Sequence, residues 1–451
     1  MSSGDSAVTT ALDRLDDLLA KARKAGASAA DAVLVQATAI SHAQRLGEVE
    51  KLERSEGVDL GLRVLVGQRQ ACVSSSDLST GALDDLVNRA LAMAQAVPDD
   101  PYCGLAQARD LCTAPPDLDS DDPAEPDAET LIARARACEE AARAVEGVTN
   151  SEGAEAGWAR GTVALAASNG FRGGYTNASH SVGCAVLAGE GTGMERDYAF
   201  HTAVHGADLE DPAAVGRLAG ERTVRRLTPR RAKTGSYPVV FHPRVANSLL
   251  RHLAGAINGV AIARGTSFLK DRMDSPVFAP GITVVDDPHR PRGLKSKPFD
   301  AEGLPNKRRE VIAEGHLTTW ILSLASARQL GLHSTGHATR GTGAPPSAGT
   351  TNLYMAPGAQ SPEALMADIS EGFYVTEMMG QGVNMVTGDY SRGAAGFWIE
   401  NGQLSYPVSE VTLAGNLKDM FAHLTPADDL EFRYGTDTPT LRVEGMTLAG
   451  S

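Results

Sequence analysis

Phe397-Trp398-Ile399-Glu400-Asn401-Gly402-Gln403-Leu404-Ser405-Tyr406-Pro407-Val408 is two strand-like runs about an Asn-Gly pair. Asn and Gly tolerate the positive φ values of a type I′ turn, whose twist matches that of the strands it joins. The stretch predicts an antiparallel hairpin. Residues 310–321 carry a second such signal around Glu314-Gly315, and residues 237–241 form a short strand signal. Apolar spacing predicts a helix over 242–258 and a shorter one over 362–371, with Leu365, Met366 and Ile369 inward. A mainly antiparallel β-rich domain is expected over 235–451.

Toward the N-terminus, Leu12, Leu15, Leu19 and Ala22 recur at helical spacing before Gly26. Leu60, Leu62, Val64 and Val66 then alternate, and Gly67-Gln68 leads to a second run over 70–74, predicting a hairpin. A helix follows, marked by Leu83, Leu86, Val87, Ala90, Leu91 and Ala94 and closed by Pro98. Residues 115–129 hold four prolines and seven acidic residues, a composition suited to an exposed linker. Beyond it come a helix with Leu131, Ala135 and Cys138 inward, strands over 148–204, and a helix over 212–227. The basic run Arg222, Arg225, Arg226, Arg230, Arg231 and Lys233 predicts a solvated helix end. The expected class is α+β: an N-terminal α/β subdomain of helices and antiparallel strands over 1–114, the linker 115–129, a central α+β subdomain over 130–234, and the β-rich domain.

The chain has 451 residues, 42 Lys+Arg against 56 Asp+Glu, and a net charge of −14. That balance argues against a nucleic-acid partner, which requires clustered cations. Residues 253–263 are the longest apolar candidate for a membrane span, and Asn258 and Arg264 cut it short, so no membrane partner is expected. Residues 1–13 contain no basic group and no apolar signal core. The five cysteines form no CxxC pair and none follows Cys184, which points to a reducing, cytoplasmic setting.

Few side chains suggest chemistry. No phosphate-binding loop with a Lys before Ser or Thr is present, and Gly189-Glu190-Gly191-Thr192-Gly193 lies between strands as a turn. His201 and His205 fall on a strand-like stretch, where residues four apart sit about 13 Å from one another. His333 and His337 belong to a glycine-flanked loop, and Cys138 and Cys184 to apolar faces. In Leu249-Leu250-Arg251-His252-Leu253-Ala254-Gly255-Ala256-Ile257, one histidine sits on a helix of the kind that carries zinc in metallopeptidases. There a glutamate beside the first histidine polarises the attacking water and a second histidine one turn on completes the pair. Here the neighbours are apolar.

The runs Val375-Thr376-Glu377-Met378-Met379-Gly380-Gln381-Gly382-Val383-Asn384 and Val386-Thr387-Gly388-Asp389-Tyr390-Ser391-Arg392-Gly393-Ala394-Ala395-Gly396 closely resemble the TldD/PmbA family, specifically its TldE (PmbA) branch. So do Met194-Glu195-Arg196-Asp197-Tyr198, Ser74-Ser75-Ser76-Asp77-Leu78-Ser79 and residues 414–421, so the likeness extends over essentially the whole chain. The resemblance implies a cytoplasmic two-subunit peptidase. Its TldD subunit carries an HExxxH zinc motif and a C-terminal cysteine ligand; TldE is a metal-free partner, and the pair trims or degrades unfolded peptides, including antibiotic precursors and an antitoxin. Matched to that motif, the first histidine is His252, the glutamate position is Leu253 and the second histidine position is Ile257. No cofactor or metal is then expected in this chain, and zinc is expected in a TldD-like partner. Thr387, Asp389, Tyr390 and Arg392 are expected near the enclosed chamber, where a sheet edge of the glycine-rich domain would hold peptide backbone. The alternatives are a regulator that binds DNA gyrase, an older label of the family, and a free-standing homodimer without peptidase activity.

Overall fold

The computed structural model describes residues 3–450. Helix α1 (Ser3–Lys24) leads into β1 (Ala29–Arg45), β2 (Glu48–Val66) and β3 (Arg69–Ser75), an antiparallel meander followed by α2 (Thr80–Ala96). Next come α3 (Ala128–Arg143), β4 (Val148–Ala167), β5 (Arg172–Ala188), β6 (Glu195–Ala203) and α4 (Pro212–Arg225). Because β1 pairs with β4, both meanders share one antiparallel sheet in the order β3-β2-β1-β4-β5-β6. Ala30, Ala32 and Leu34 face the layer built by α1 and α2, while Ile40, on the same face of β1, meets that of α3 and α4. The opposite face carries Val33, Leu165 and Phe171 against Phe299 of the C-terminal part.

Strand β1 is the element that periodicity does not show. Residues 30–34 are buried on both faces, which erases the inward-outward alternation. The segment 115–129 is largely exposed but is tied to the sheet at several points. The Ser120 carbonyl accepts from the Ala178 amide at 2.9 Å, its hydroxyl donates to the Thr176 carbonyl at 2.8 Å, and Leu118 is buried. Asp121 is forked by Arg160 at 2.7 Å, and Asp122 accepts from the Gly206 amide at 2.9 Å and lies 2.9 Å from His180 Nε2. Carboxylates that could not build an apolar core instead bind the strap to β4 and β5 through charge-assisted bonds.

The C-terminal part opens with β7 (Gly235–Phe241), α5 (Pro243–Ala256) and α6 (Gly259–Ala263), then β8 (Val284–Asp287), β9 (Arg309–Ala313), β10 (His316–Leu317) and α7 (Leu324–Leu330). Short strands β11 (Ala338–Thr339), β12 (Ser347–Ala348) and β13 (Asn352–Met355) precede α8 (Pro362–Met366). After these run β14 (Glu371–Met379), β15 (Asp389–Glu400), β16 (Gln403–Asn416), α9 (Leu417–Ala422), β17 (Leu424–Pro426), β18 (Thr436–Asp437) and β19 (Leu441–Ala449). The principal sheet has the order β16-β15-β14-β7-β19-β17, and β19 pairs back to β16, so five strands close into a ring. Leu249, Leu250 and Leu253 of α5 share one hydrophobic cluster with Phe241, Phe373, Tyr390, Leu413 and Leu441 of the ring. Both predicted hairpins form, with positive φ at Glu314, Gly315, Asn401 and Gly402. Helix α8 stops at Met366, short of the expected residue 371, where β14 begins.

Gly396 sits where register shifts coincide in both β14-β15 and β15-β16. A Cβ there would lie 1.9 Å from the Tyr374 carbonyl oxygen, an overlap that only backbone displacement relieves. Gly396→Ala is expected to cost at least ~3 kcal/mol or to prevent folding. Gly380→Ala, with positive φ but open space, is expected to cost only about 1 kcal/mol. Urea unfolding of both variants checks the contrast.

Candidate functional site

Helix α5 begins where Pro243 occupies the first turn and His242 Nδ1 accepts from the Arg244 amide at 3.1 Å. Its inward face is continuous: Leu253 and Ile257 are fully buried in the C-terminal core. His252 points elsewhere, with its ring centroid 6.1 Å from that of Tyr390 and the planes at 79°. Its Nε2 is buried and has no hydrogen-bond partner. Burial, then the charges of Arg392 and Arg251, push its pKa down to about 4, so the imidazole is neutral at physiological pH.

These residues do not fit zinc. Structural and catalytic zinc sites use at least three protein donors, and His252 is a lone nitrogen beside two aliphatic positions. Among the described residues, no group of three or more His, Cys, Asp and Glu is placed to hold a metal ion.

Of the four residues expected near peptide, Thr387 and Asp389 are exposed, Arg392 is half-buried and Tyr390 is buried in the ring. Tyr390 corrects the expectation: its side chain is 1% exposed, packed on His252, and burial pushes its hydroxyl up to about 12. Thr387 donates to Asp389 at 2.6 Å, and Asn416 donates to Asp389 at 3.1 Å, tying the turn before β15 to the end of β16. Arg392 donates to the Gly380 carbonyl at 3.0 Å. Strand β15 also has neighbours on both sides, so residues 389–396 offer no free edge for an added strand.

The remaining histidines and cysteines separate. His201 Nδ1 accepts from the Glu210 amide, whereas His205, beyond the end of β6, lies 3.0 Å from the Asp119 carbonyl. His337 is buried between Thr335 at 2.9 Å and Asp286 at 3.1 Å, while His333 is exposed. Contact with Cys184, then burial, holds the Cys138 thiol protonated.

A polar centre that sequence reasoning missed lies where β6, α4, α5 and β14 meet. Arg244 forks Asp197 at 2.7 and 2.9 Å and donates its Nε to the Thr376 carbonyl at 2.6 Å. Arg225, Arg230, Arg231 and Lys233 of the basic run are exposed, whereas Arg226 departs from the solvated-helix-end expectation by reaching Glu377 at 2.5 Å and Glu195 at 3.3 Å. Arg225 and Arg230 of the same basic run lie over the rings of Phe397 and Tyr406. Burial pushes the Asp197 carboxyl up, but the bonds and charge of Arg244 outweigh it and hold the group below the usual carboxylate range. The Glu195-Arg196-Asp197 run was the available sequence signal, without its distant partners.

Residues 30–94, 121–227 and 234–450 match, in order, domain 1, the central domain and the C-terminal domain of the PmbA/TldA metallopeptidase. The class is therefore that of metallopeptidase-type α+β proteins. The chain is 40% identical to metalloprotease PmbA of Escherichia coli O157:H7 over 449 residues, covering 99% of this chain and 96% of the relative. A Bacteroides thetaiotaomicron protein provisionally named a modulator of DNA gyrase superposes with a TM-score of 0.90 at 26% identity, covering 97% of this chain and 98% of the other. TldE from Thermococcus kodakarensis shares the fold at a TM-score of 0.84 and 18% identity, covering 97% and 100%. The chain belongs to the PmbA/TldD family, on its TldE (PmbA) branch.

Two outcomes follow from the site's electrostatics. Asp197→Asn leaves Arg244 buried beside an uncharged partner and is expected to cost about 3–5 kcal/mol at pH 7. Because the folded pKa of Asp197 is depressed, its contribution is complete above about pH 4 and fades as acid protonates it, so wild type and variant converge at lower pH. Urea titrations at several pH values read this. For His252, nitrogen chemical shifts should report a neutral ring at pH 5.5, with protonation only near pH 4.

Proposed function

We propose that this chain is the non-catalytic subunit of a heteromeric zinc peptidase acting on unfolded peptides, and that a TldD-like chain supplies the zinc. The observation that carries the reading is the interior of α5. The positions matched to the general base and the second zinc ligand are Leu253 and Ile257, both 0% exposed and part of the core. Restoring a metal set there would require placing charge inside a packed apolar cluster, which is costly without compensating ligands. Exposed Leu46, Val49 and Leu52 at the tip of the β1-β2 hairpin supply apolar surface for a partner. Five free cysteines support a cytoplasmic setting, and among the described residues no helix is long and apolar enough to cross a membrane.

With the C-terminal ring closed, an extended peptide is better placed on the N-terminal six-stranded sheet. Strand β6 lies at its margin, with Tyr198 and Phe200 exposed, and can accept an extended backbone. A gyrase role is not proposed, since its support is the names of structural neighbours.

The test is reconstitution. The purified chain is expected to retain only trace zinc after dialysis and to cleave no peptide, and the TldD-like chain alone is expected to be inactive on an unfolded peptide until this chain is added. Stoichiometric zinc in this chain, or full activity of the partner alone, would overturn the proposal.

A further inference from the structure

Between β6 and the outer face of α5 lies a cavity of about 530 Å³, a size that accommodates a small organic ligand. Tyr198 and Phe200 come from β6, Arg222 from α4, Asn247 and Arg251 from successive turns of α5, and Tyr434 from the loop before β18. Most charges around it are matched. Arg244 is held by Asp197, Arg433 by Glu210 at 2.9 Å and Glu431 at 3.2 Å, and Asp429 accepts from the Thr440 amide at 2.8 Å and hydroxyl at 2.7 Å. Glu363, also on the lining, is on the exposed first turn of α8.

Arg222 and Arg251 are different. Neither has a carboxylate within 4 Å among the described residues, and the protein bond given to Arg222 is a long one, 3.4 Å, to the Tyr198 carbonyl. Arg222 is half-buried, and burial, then repulsion from Arg244, disfavours its cation; Arg251 is exposed, and partial burial, then Arg392, disfavours its cation too. His242, whose pKa burial pushes down to about 3, brings no positive charge of its own. Asn247 is 4% exposed, and its Oδ1 is buried without a hydrogen-bond partner. A buried acceptor left unmatched costs about 1–3 kcal/mol. The cavity thus has two guanidinium groups without carboxylate partners, an aromatic wall in which Phe200 stacks on Tyr198 at 6.2 Å and meets Tyr434 at 5.7 Å, and in its lining an Asn247 amide whose closed-off, unmatched Oδ1 a flip of the amide would turn inward.

We propose that this cavity binds the C-terminal carboxylate of a short peptide. Arg222 and Arg251 donate to the carboxylate, Asn247 Oδ1 accepts from the amide N–H of the last residue, and that residue's apolar side chain lies against Tyr198, Phe200 and Tyr434. Guanidinium groups suit the planar carboxylate, and the amide acceptor distinguishes a peptide end from a simple anion. The ligand class builds on the peptide reading above. The test uses neither zinc nor partner, so failure here leaves subunit pairing untouched, and failed reconstitution leaves this site untouched.

Calorimetric titration of the full chain with N-acetyl-Ala-Phe, its C-terminal amide, free phenylalanine and sodium acetate decides the matter. The dipeptide acid is expected to bind at least about ten-fold more tightly than the amide, phenylalanine or acetate. Arg222→Ala and Arg251→Ala should each weaken it by about ten-fold or more, whereas the exposed Arg109→Ala should leave it unchanged. Arg222→Lys and Arg251→Lys, which keep charge but lose the planar fork, should fall between, and they serve if an alanine variant does not fold. Equal binding of acid and amide, no binding of the acid at about 10 mM, or phenylalanine or acetate binding as tightly as the dipeptide would overturn the assignment.

Discussion

The bidentate contact between Arg244 and Asp197 is the constraint on which the arrangement of the molecule rests. Asp197 belongs to the edge strand of the first sheet and Arg244 to the first turn of the helix packed on the C-terminal ring. Both side chains are nearly excluded from water, so each carries a desolvation penalty of several kcal/mol that only close, well-directed bonds offset. Three acceptor atoms on two elements satisfy the guanidinium, since the Thr376 carbonyl takes the Nε proton. Sliding β6 against α5 or β14 would break more than one of these bonds at once. The contact therefore specifies relative position more strongly than it adds net stability, and it holds the walls of the adjacent cavity at their spacing.

Ring closure is a second constraint with chemical consequences. A sheet that pairs its outer strands exposes few unpaired backbone groups, so the five-stranded ring is a poor platform for an extended peptide. It is instead a rigid seat for α5, whose apolar side chains fill it. The same packing that stabilises this helix fills the two positions matched to a base and a ligand with aliphatic side chains, since Leu253 and Ile257 contribute to the core. His252 remains at the margin, neutral and against Tyr390.

How much of this was legible depended on whether the information was local. The Asn401-Gly402 and Glu314-Gly315 turns are written in residues that tolerate positive φ, and both hairpins were found. The lone histidine and its apolar neighbours were equally visible, as was the family likeness. Strand β1 was hidden by burial on both faces, and the strap at 115–129 by carboxylates whose donors are supplied by β4, β5 and the turn after β6. The Asp197 cluster and the cavity join residues from 195 to 440, none of them marked by spacing. Tyr390 was expected near the chamber through the family likeness, yet its ring is buried against His252.

The shared six-stranded sheet has a consequence for how the chain reaches its structure. One edge of β1 is covered by β2 across a tight turn, but the other is covered by β4, with Gln44 opposite Ala154 and Asp31 opposite Ala167. Partners more than a hundred positions apart make this a high-contact-order pairing, closed late relative to the local hairpins. During synthesis from the N-terminus, the first meander must therefore wait with an open backbone edge until the second has emerged, and in that interval it is the part of the molecule most open to capture by another strand.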